Sequence, residues 1–300
     1  MKGDAFTSEG AGAENSRRPL WYAHRLPGYH GGEALRTNAR KSSEISHSRR
    51  TGLGIIVETH VVSDHPAGAL PVILVPGLGL SAKYMLPLAK SLSETSDVWI
   101  LEVKRAATAH SRGCLHVREA GSLVIEWMAK QGMASAVLGG HSFGAQVVAA
   151  AAIQDPSRVQ ALVLIAPTVD PAARTIVAQA WRLLRDSVRE PFSAVWLATA
   201  DYLKHPANVF RMARAAVEDD IQSRLPAVRC PTRVLCGSKD PVVPGNWART
   251  VAALLPQGEL VTINGAAHAL PYSHWQEIAA EIRRAAGCAP TDGGSVLRAG

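Results

Sequence analysis

The stretch Gly140-His141-Ser142-Phe143-Gly144 constrains this chain more than any other. It sits between a short apolar run ending at Leu138 and an Ala/Val-rich helical run that continues to Ala152. A Ser flanked by Gly two positions before and two after fits a sharp strand-to-helix turn. Side chains at those flanking positions would collide, so glycine is what the turn requires. The helix that follows starts beneath Ser142, and its free N–H groups and positive dipole end favour developing negative charge. Five residues of Gly and Ser also occur in ordinary turns. The surrounding strand and helix patterns turn the pattern into a candidate nucleophile site.

The rest of the chain alternates strands and helices. Strand patterns fall at Ile55–Val62, Val72–Val75, Val98–Val103, Ala136–Leu138, Leu162–Ile165, Thr232–Cys236 and Leu260–Ile263. Helix patterns fall at Ala82–Leu92, Val117–Met128, Trp247–Leu255 and Trp275–Ala286, with Pro87 blurring the start of the first. This order predicts an α/β fold, a mostly parallel, doubly wound sheet covered on both faces. From Pro171 to Leu225 only helical segments appear: Arg174–Val188, Phe192–Leu203 and Val209–Ile221. An all-helical insertion at the carboxyl end of a strand would lie over the site as a lid. The domain reading is therefore a leader over 1–50, a core over 51–167 and 227–287, a helical cap over 168–226 and a loose tail over 288–300. In the cap, Trp181, Leu184, Trp196, Leu197, Tyr202 and Phe210 are candidates for an apolar pocket, although helical spacing of this kind more often marks packing. Glu218, Asp219 and Asp220 read as a solvated face.

A Ser nucleophile needs a base, and the base needs an acid to orient it. Asp240 follows the Thr232–Cys236 strand, and His268 follows the Leu260–Ile263 strand in the small-residue segment Gly265-Ala-Ala-His268. They stand 28 positions apart, room for one helix and one strand, so both loops open at the same sheet edge. Asp170 is the reserve acid; standing before Pro171, it also reads as an N-cap. The oxyanion donors are expected to be the backbone N–H groups of Phe143 and Leu78, the latter within Gly77-Leu78-Gly79. A simple turn is the other reading of that loop.

Composition narrows the function classes. The formal charge is +7, but residues 1–50 hold nine Lys/Arg against five Asp/Glu, so more than half of the excess lies in a polar leader. That pattern argues for a solvated tail and against a nucleic-acid-binding face. Trp21, Tyr22 and Tyr29 within it either pack on the main domain or serve as a docking segment. No apolar run approaches the roughly 20 residues of a membrane helix, and no signal-peptide core stands at the N-terminus. The expectation is a cytoplasmic protein with no membrane partner. Cys114, Cys230, Cys236 and Cys288 are scattered without metal spacing and read as free thiols.

Taken together, VPGLG at 75–79, GHSFG at 140–144, GSKDPVVP at 237–244 and GAAHAL at 265–270 resemble the α/β-hydrolase superfamily, in its cap-bearing branch. The resemblance covers roughly residues 53–287. It implies a hydrolase acting on a small molecule without metal or organic cofactor, through Ser142, Asp240 and His268. Two departures stand out. The oxyanion loop begins Pro76-Gly77 where relatives usually carry His-Gly, and the loop Lys104–Gly113 is basic and Ala-rich where an acidic Gly-rich turn is usual. Three readings follow. The first is hydrolysis of a carboxylic ester, lactone or thioester with an apolar acyl or ring-containing group. The second is C–C bond hydrolysis or acyl transfer on the same triad. The third is a small-ligand receptor that has kept the fold. His141 stands where many C–C hydrolases of the family carry Asn, which tilts the reading toward esters. The oligomeric state is left open.

Overall fold

The computed structural model describes residues 43–51, 54–62, 69–105 and 115–287. Most of the expected leader with its three aromatics, most of the Lys104–Gly113 loop, Cys114, Cys288 and the expected tail lie outside those residues.

Eight strands form one sheet: β1 (Ser43–Thr51), β2 (Gly54–Val62), β3 (Val72–Val75), β4 (Val98–Arg105), β5 (Ala136–His141), β6 (Val159–Ile165), β7 (Thr232–Gly237) and β8 (Gly258–Ile263). Their spatial order is β1-β2-β4-β3-β5-β6-β7-β8. β2 pairs antiparallel with both β1 and β4, and every pair from β4 to β8 is parallel. A parallel sheet of this kind is covered on both faces, and its central strands should be apolar throughout rather than alternating. β3 and β5 obey this, every residue in them being buried.

The covering helices are α1 (Leu86–Leu92), α2 (Val117–Lys130), α3 (Phe143–Gln154), α4 (Ile176–Ser187), α5 (Phe192–Lys204), α6 (Pro206–Glu218), α7 (Ile221–Arg224), α8 (Gly245–Leu254), α9 (Leu270–Ser273) and α10 (Trp275–Ala285). Pro87 falls in the first turn of α1, where its missing N–H costs nothing, so the helix starts there instead of being broken. Helix α3 is buried from Phe143 through Ala152, which explains its Ala-rich composition: a helix packed on all sides needs small residues. Between β6 and β7 the chain is helical only, α4 to α7, and these helices form the cap.

One boundary differs from the sequence reading. The leader expected over 1–50 overlaps strand β1, which begins at Ser43 and pairs with β2 from Ser43↔Val62 to Thr51↔Gly54. Its sequence, SEISHSRRT, has a single aliphatic residue and so no hydrophobic period. An edge strand can be held by backbone pairing with one neighbour, which leaves no such period to read.

Candidate active site

The end of β5 builds the nucleophile turn. Ser142 has φ 54° and ψ −115°, a backbone conformation that L-residues rarely adopt. Such strain costs on the order of 1–3 kcal/mol and is held only where surrounding packing fixes it. A Cβ on Gly140 would lie 2.3 Å from the Gly144 carbonyl oxygen, and one on Gly144 would lie 2.2 Å from the Val75 carbonyl oxygen. Both glycines are therefore demanded by close backbone approach. The turn hands Ser142 directly to α3, whose first residue is Phe143.

Because β3, β5, β6, β7 and β8 are parallel, the loops after them open at one sheet edge. The loop after β7 carries Asp240 and the loop after β8 carries His268. They are laced together: Ser238 N–H donates to Ile263 O at 3.0 Å, Lys239 N–H to Ala266 O at 2.9 Å and Gly265 N–H to Ser238 Oγ at 2.8 Å. The result is a continuous relay. His268 Nε2 lies 3.1 Å from Ser142 Oγ, and His268 Nδ1 lies 2.8 Å from Asp240 Oδ2. Asp240 Oδ1 accepts from the Val242 and Val243 N–H groups at 2.7 and 3.0 Å, which fixes the carboxylate. Since Nδ1–H donates to Asp240, Nε2 presents its lone pair to the Ser142 hydroxyl.

The reserve acid is used elsewhere. Asp170 Oδ1 accepts from Ala172 N–H at 3.0 Å, and Oδ2 pairs with Arg182 of α4 at 2.7 Å. Arg182 also donates to Val242 O at 3.1 Å, tying the cap to the loop that holds Asp240.

Three residues that the sequence reading did not assign to the site hold the histidine loop. His141 Nε2–H donates to His268 O at 2.9 Å. Its Nδ1 is buried without a partner, and burial with the neighbouring His268 lowers its pKa to about 3, so it stays neutral. From the cap, Asp186 Oδ1 accepts from His268 N–H at 3.1 Å and Glu190 Oε1 accepts from Ala269 N–H at 2.5 Å. Burial raises the Asp186 pKa and pushes that of Glu190 to about 7. Burial alone would lower the His268 pKa. The Asp240 carboxylate with its hydrogen bond, joined by Asp186 and Glu190, outweighs that and raises it above the ordinary value. No sequence signal marks Asp186 or Glu190, because their roles arise only where the cap meets the core.

A cavity of about 750 Å³ opens onto Ser142 and His268, roofed by α4, α5 and α6. Leu78 and Phe143, the expected oxyanion donors, both line it. Of the cap residues expected at a pocket, Leu184, Tyr202 and Phe210 line the cavity and Leu197 packs against the core. Trp181 and Trp196 do neither; they are 62% and 66% exposed. Among the described lining residues the ionisable acids are Asp186 and Glu190, and no Lys or Arg is present. No group of three or more His, Cys, Asp or Glu is placed to hold a metal ion among the described residues. Cys230 and Cys236 are free thiols.

Residues 72–281 match the family described as alpha/beta hydrolase. The chain is 25% identical over 226 residues to a protein named as a carbamate hydrolase, RutD, of Serratia proteamaculans, covering 66% of this chain and 84% of that one. It is 26% identical over 221 residues to N-formylmaleamate deformylase of Pseudomonas putida, covering 67% and 82%. In fold it is similar to the enol-lactonase of Burkholderia xenovorans, with a TM-score of 0.64 and 17% identity over 77% of this chain and 96% of that one.

Proposed function

The chain belongs to the alpha/beta hydrolase family, and from that premise we propose that it is a serine hydrolase cleaving a small, uncharged carboxylic ester, lactone or thioester. The observation that carries the reading is the Ser142–His268–Asp240 relay at the floor of an apolar cavity. Ser142 Oγ attacks the substrate carbonyl carbon while its proton passes to His268 Nε2. Asp240 holds the ring in the required tautomer and stabilises the imidazolium. The Phe143 and Leu78 N–H groups receive the oxyanion. Collapse of the tetrahedral species breaks the bond to the leaving oxygen or sulfur, which takes the proton from His268. Water, deprotonated by the same imidazole, then cleaves the acyl-enzyme and restores Ser142.

The lining supports an uncharged substrate. Asp186 and Glu190 would repel a carboxylate, and no described lining residue offers it a cation. A carbamate or formylated amide is the second reading, favoured by the names of the two relatives; the same acyl chemistry would cleave its C–N bond.

The test is labelling by a fluorophosphonate probe together with turnover of p-nitrophenyl esters of increasing chain length. The expected result is phosphonylation of Ser142 and hydrolysis of neutral esters, both lost in Ser142→Ala. Absence of labelling and of turnover on esters and carbamates alike would point to a ligand-binding protein.

A further inference from the structure

Among the described residues, the large apolar side chains left exposed all belong to the cap. They are not scattered. Val177, Trp181 and Leu184 recur at helical spacing along α4, and Val188 continues the row at its C-cap. Phe192, Trp196 and Leu203 do the same along α5. An apolar helical stripe normally faces a core; these are 59–83% exposed, with only Leu183 lower. Contiguous exposed apolar surface of this kind marks an interaction site.

Charge is sorted across the same helices. From Ile176 to Glu218 the exposed charged side chains are five bases, Arg185, Arg189, Lys204, Arg211 and Arg214, and one acid, Glu218 at the end of α6, which pairs with Arg214 at 2.6 Å. The other acids of this stretch turn inward, with Asp186 and Glu190 on the histidine loop and the buried Asp201 accepting from Ser81 N–H at 2.8 Å. Apolar rows with a strong excess of cations beside them are the signature of a surface that lies on anionic lipid. The face also reaches the site, because Leu184, Leu203 and Phe210 are exposed and line the cavity as well.

We propose that the outer face of the cap docks on an anionic lipid surface, with Trp181, Phe192 and Trp196 entering the interface and the rim of the catalytic cavity turned toward it. A second copy of the chain fits the same face poorly. A two-fold interface would set it against itself, five exposed cations meeting five, with one exposed acid, Glu218, on each copy and that acid already paired to Arg214. No described helix is long and apolar enough to cross a membrane. The docking is therefore peripheral, a mode that the sequence expectation of no membrane partner, drawn from the lack of a spanning segment, did not address.

The experiment is flotation of the full chain with vesicles, read without turnover. Wild type is expected to float with vesicles of equal parts phosphatidylcholine and phosphatidylglycerol, with blue-shifted Trp emission, and not with phosphatidylcholine alone. Phe192→Ser combined with Trp196→Ser should lower the partition coefficient at least about tenfold, and high salt or Arg185→Glu with Arg189→Glu should lower it as well. Hydrolysis of a soluble ester should be unchanged in these variants, since none of the four residues lines the cavity. Ser142→Ala should float like wild type, so loss of the hydrolase reading and loss of docking are separable. Wild type that stays unbound with both vesicles overturns the proposal, as does equal flotation of the Phe192→Ser/Trp196→Ser protein. A wild-type dimer that never floats, and that this pair of substitutions makes monomeric, identifies a second copy as the occupant and also overturns it.

Discussion

The main-chain N–H of His268 donates to the carboxylate of Asp186 at 3.1 Å, so a cap residue holds the backbone of the proposed general base. His141 holds the carbonyl side of the same residue, accepting nothing and donating to His268 O at 2.9 Å. The cap thus takes part directly in placing the imidazole.

This contact sets a pH prediction. His268 must be neutral to take the Ser142 proton, and its pKa lies above the ordinary value of 6.5. The kcat/KM profile should therefore rise through an acid limb above that value. Negative charge favours imidazolium, so removing the Asp186 charge should move the limb down. Asp186→Asn keeps an oxygen acceptor for the His268 N–H, so the limb is expected at lower pH than in wild type with the loop still held. Glu190 titrates near 7 in the same cavity, so the limb reports a coupled pair. His141, neutral throughout, does not contribute. An Asp186→Asn profile that overlays wild type would show that the carboxylate acts on the loop alone.

Asp240→Asn should reduce kcat by about 10⁴, since the amide can no longer hold the tautomer that presents a lone pair to Ser142. Asp170→Asn should cost less than about tenfold, because that side chain caps the segment at Pro171 and pairs with Arg182, away from the relay. Steady-state kinetics of both variants decide the matter; a crippled Asp170→Asn with a mildly affected Asp240→Asn would reverse the assignment.

What could be read in advance divides along physical lines. The turn at Ser142 was legible because its backbone geometry excludes side chains at 140 and 144. The positions of Asp240 and His268 were legible because parallel strands deliver their following loops to one edge. Neither inference needs tertiary detail. Asp186 and Glu190 gave no signal, because each acts on the His268–Ala269 backbone through a contact made only where the cap seats on the core; His141 drew notice only as a departure beside Ser142, since its bond to His268 O joins the end of β5 to a loop distant in sequence. The helical spacing of Trp181 and Trp196 predicts packing or pocket, but spacing fixes a face without saying which way it points. Strand β1 was missed for the opposite reason, having no apolar spacing to detect.

That strand supplies a further prediction. Deleting residues 1–42 should leave ester hydrolysis and the melting temperature nearly unchanged, given the polar, aperiodic sequence. Deleting residues 1–53 removes β1 and strips β2 of its outer partner, from Ser43↔Val62 to Thr51↔Gly54. The melting temperature should then fall by about 4 °C or more, and the newly bare edge should promote aggregation. Thermal unfolding and light scattering of the two truncations test this. Equal stability of both would mean that β1 contributes little to the sheet.

The last prediction concerns Glu190 and stability. Its carboxyl group is pushed from the usual 4.5 to about 7 by burial in the cavity, against the opposing effect of the Ala269 N–H. A raised carboxyl pKa means that the folded state binds an extra proton between these two values. Stability from this group is therefore full below about pH 4.5, is lost as pH rises through about 7, and changes no further above that. Glu190→Gln has no charge to bury and still offers an oxygen to Ala269 N–H. The variant should match wild type near pH 4.5 and melt about 2–4 °C higher at about pH 8. Asp186, whose carboxyl is also raised by burial, is present in both proteins and adds a trend of the same sign to each. A glutamine variant less stable than wild type at pH 8 would mean that the charged hydrogen bond to Ala269 outweighs the cost of burying the carboxylate.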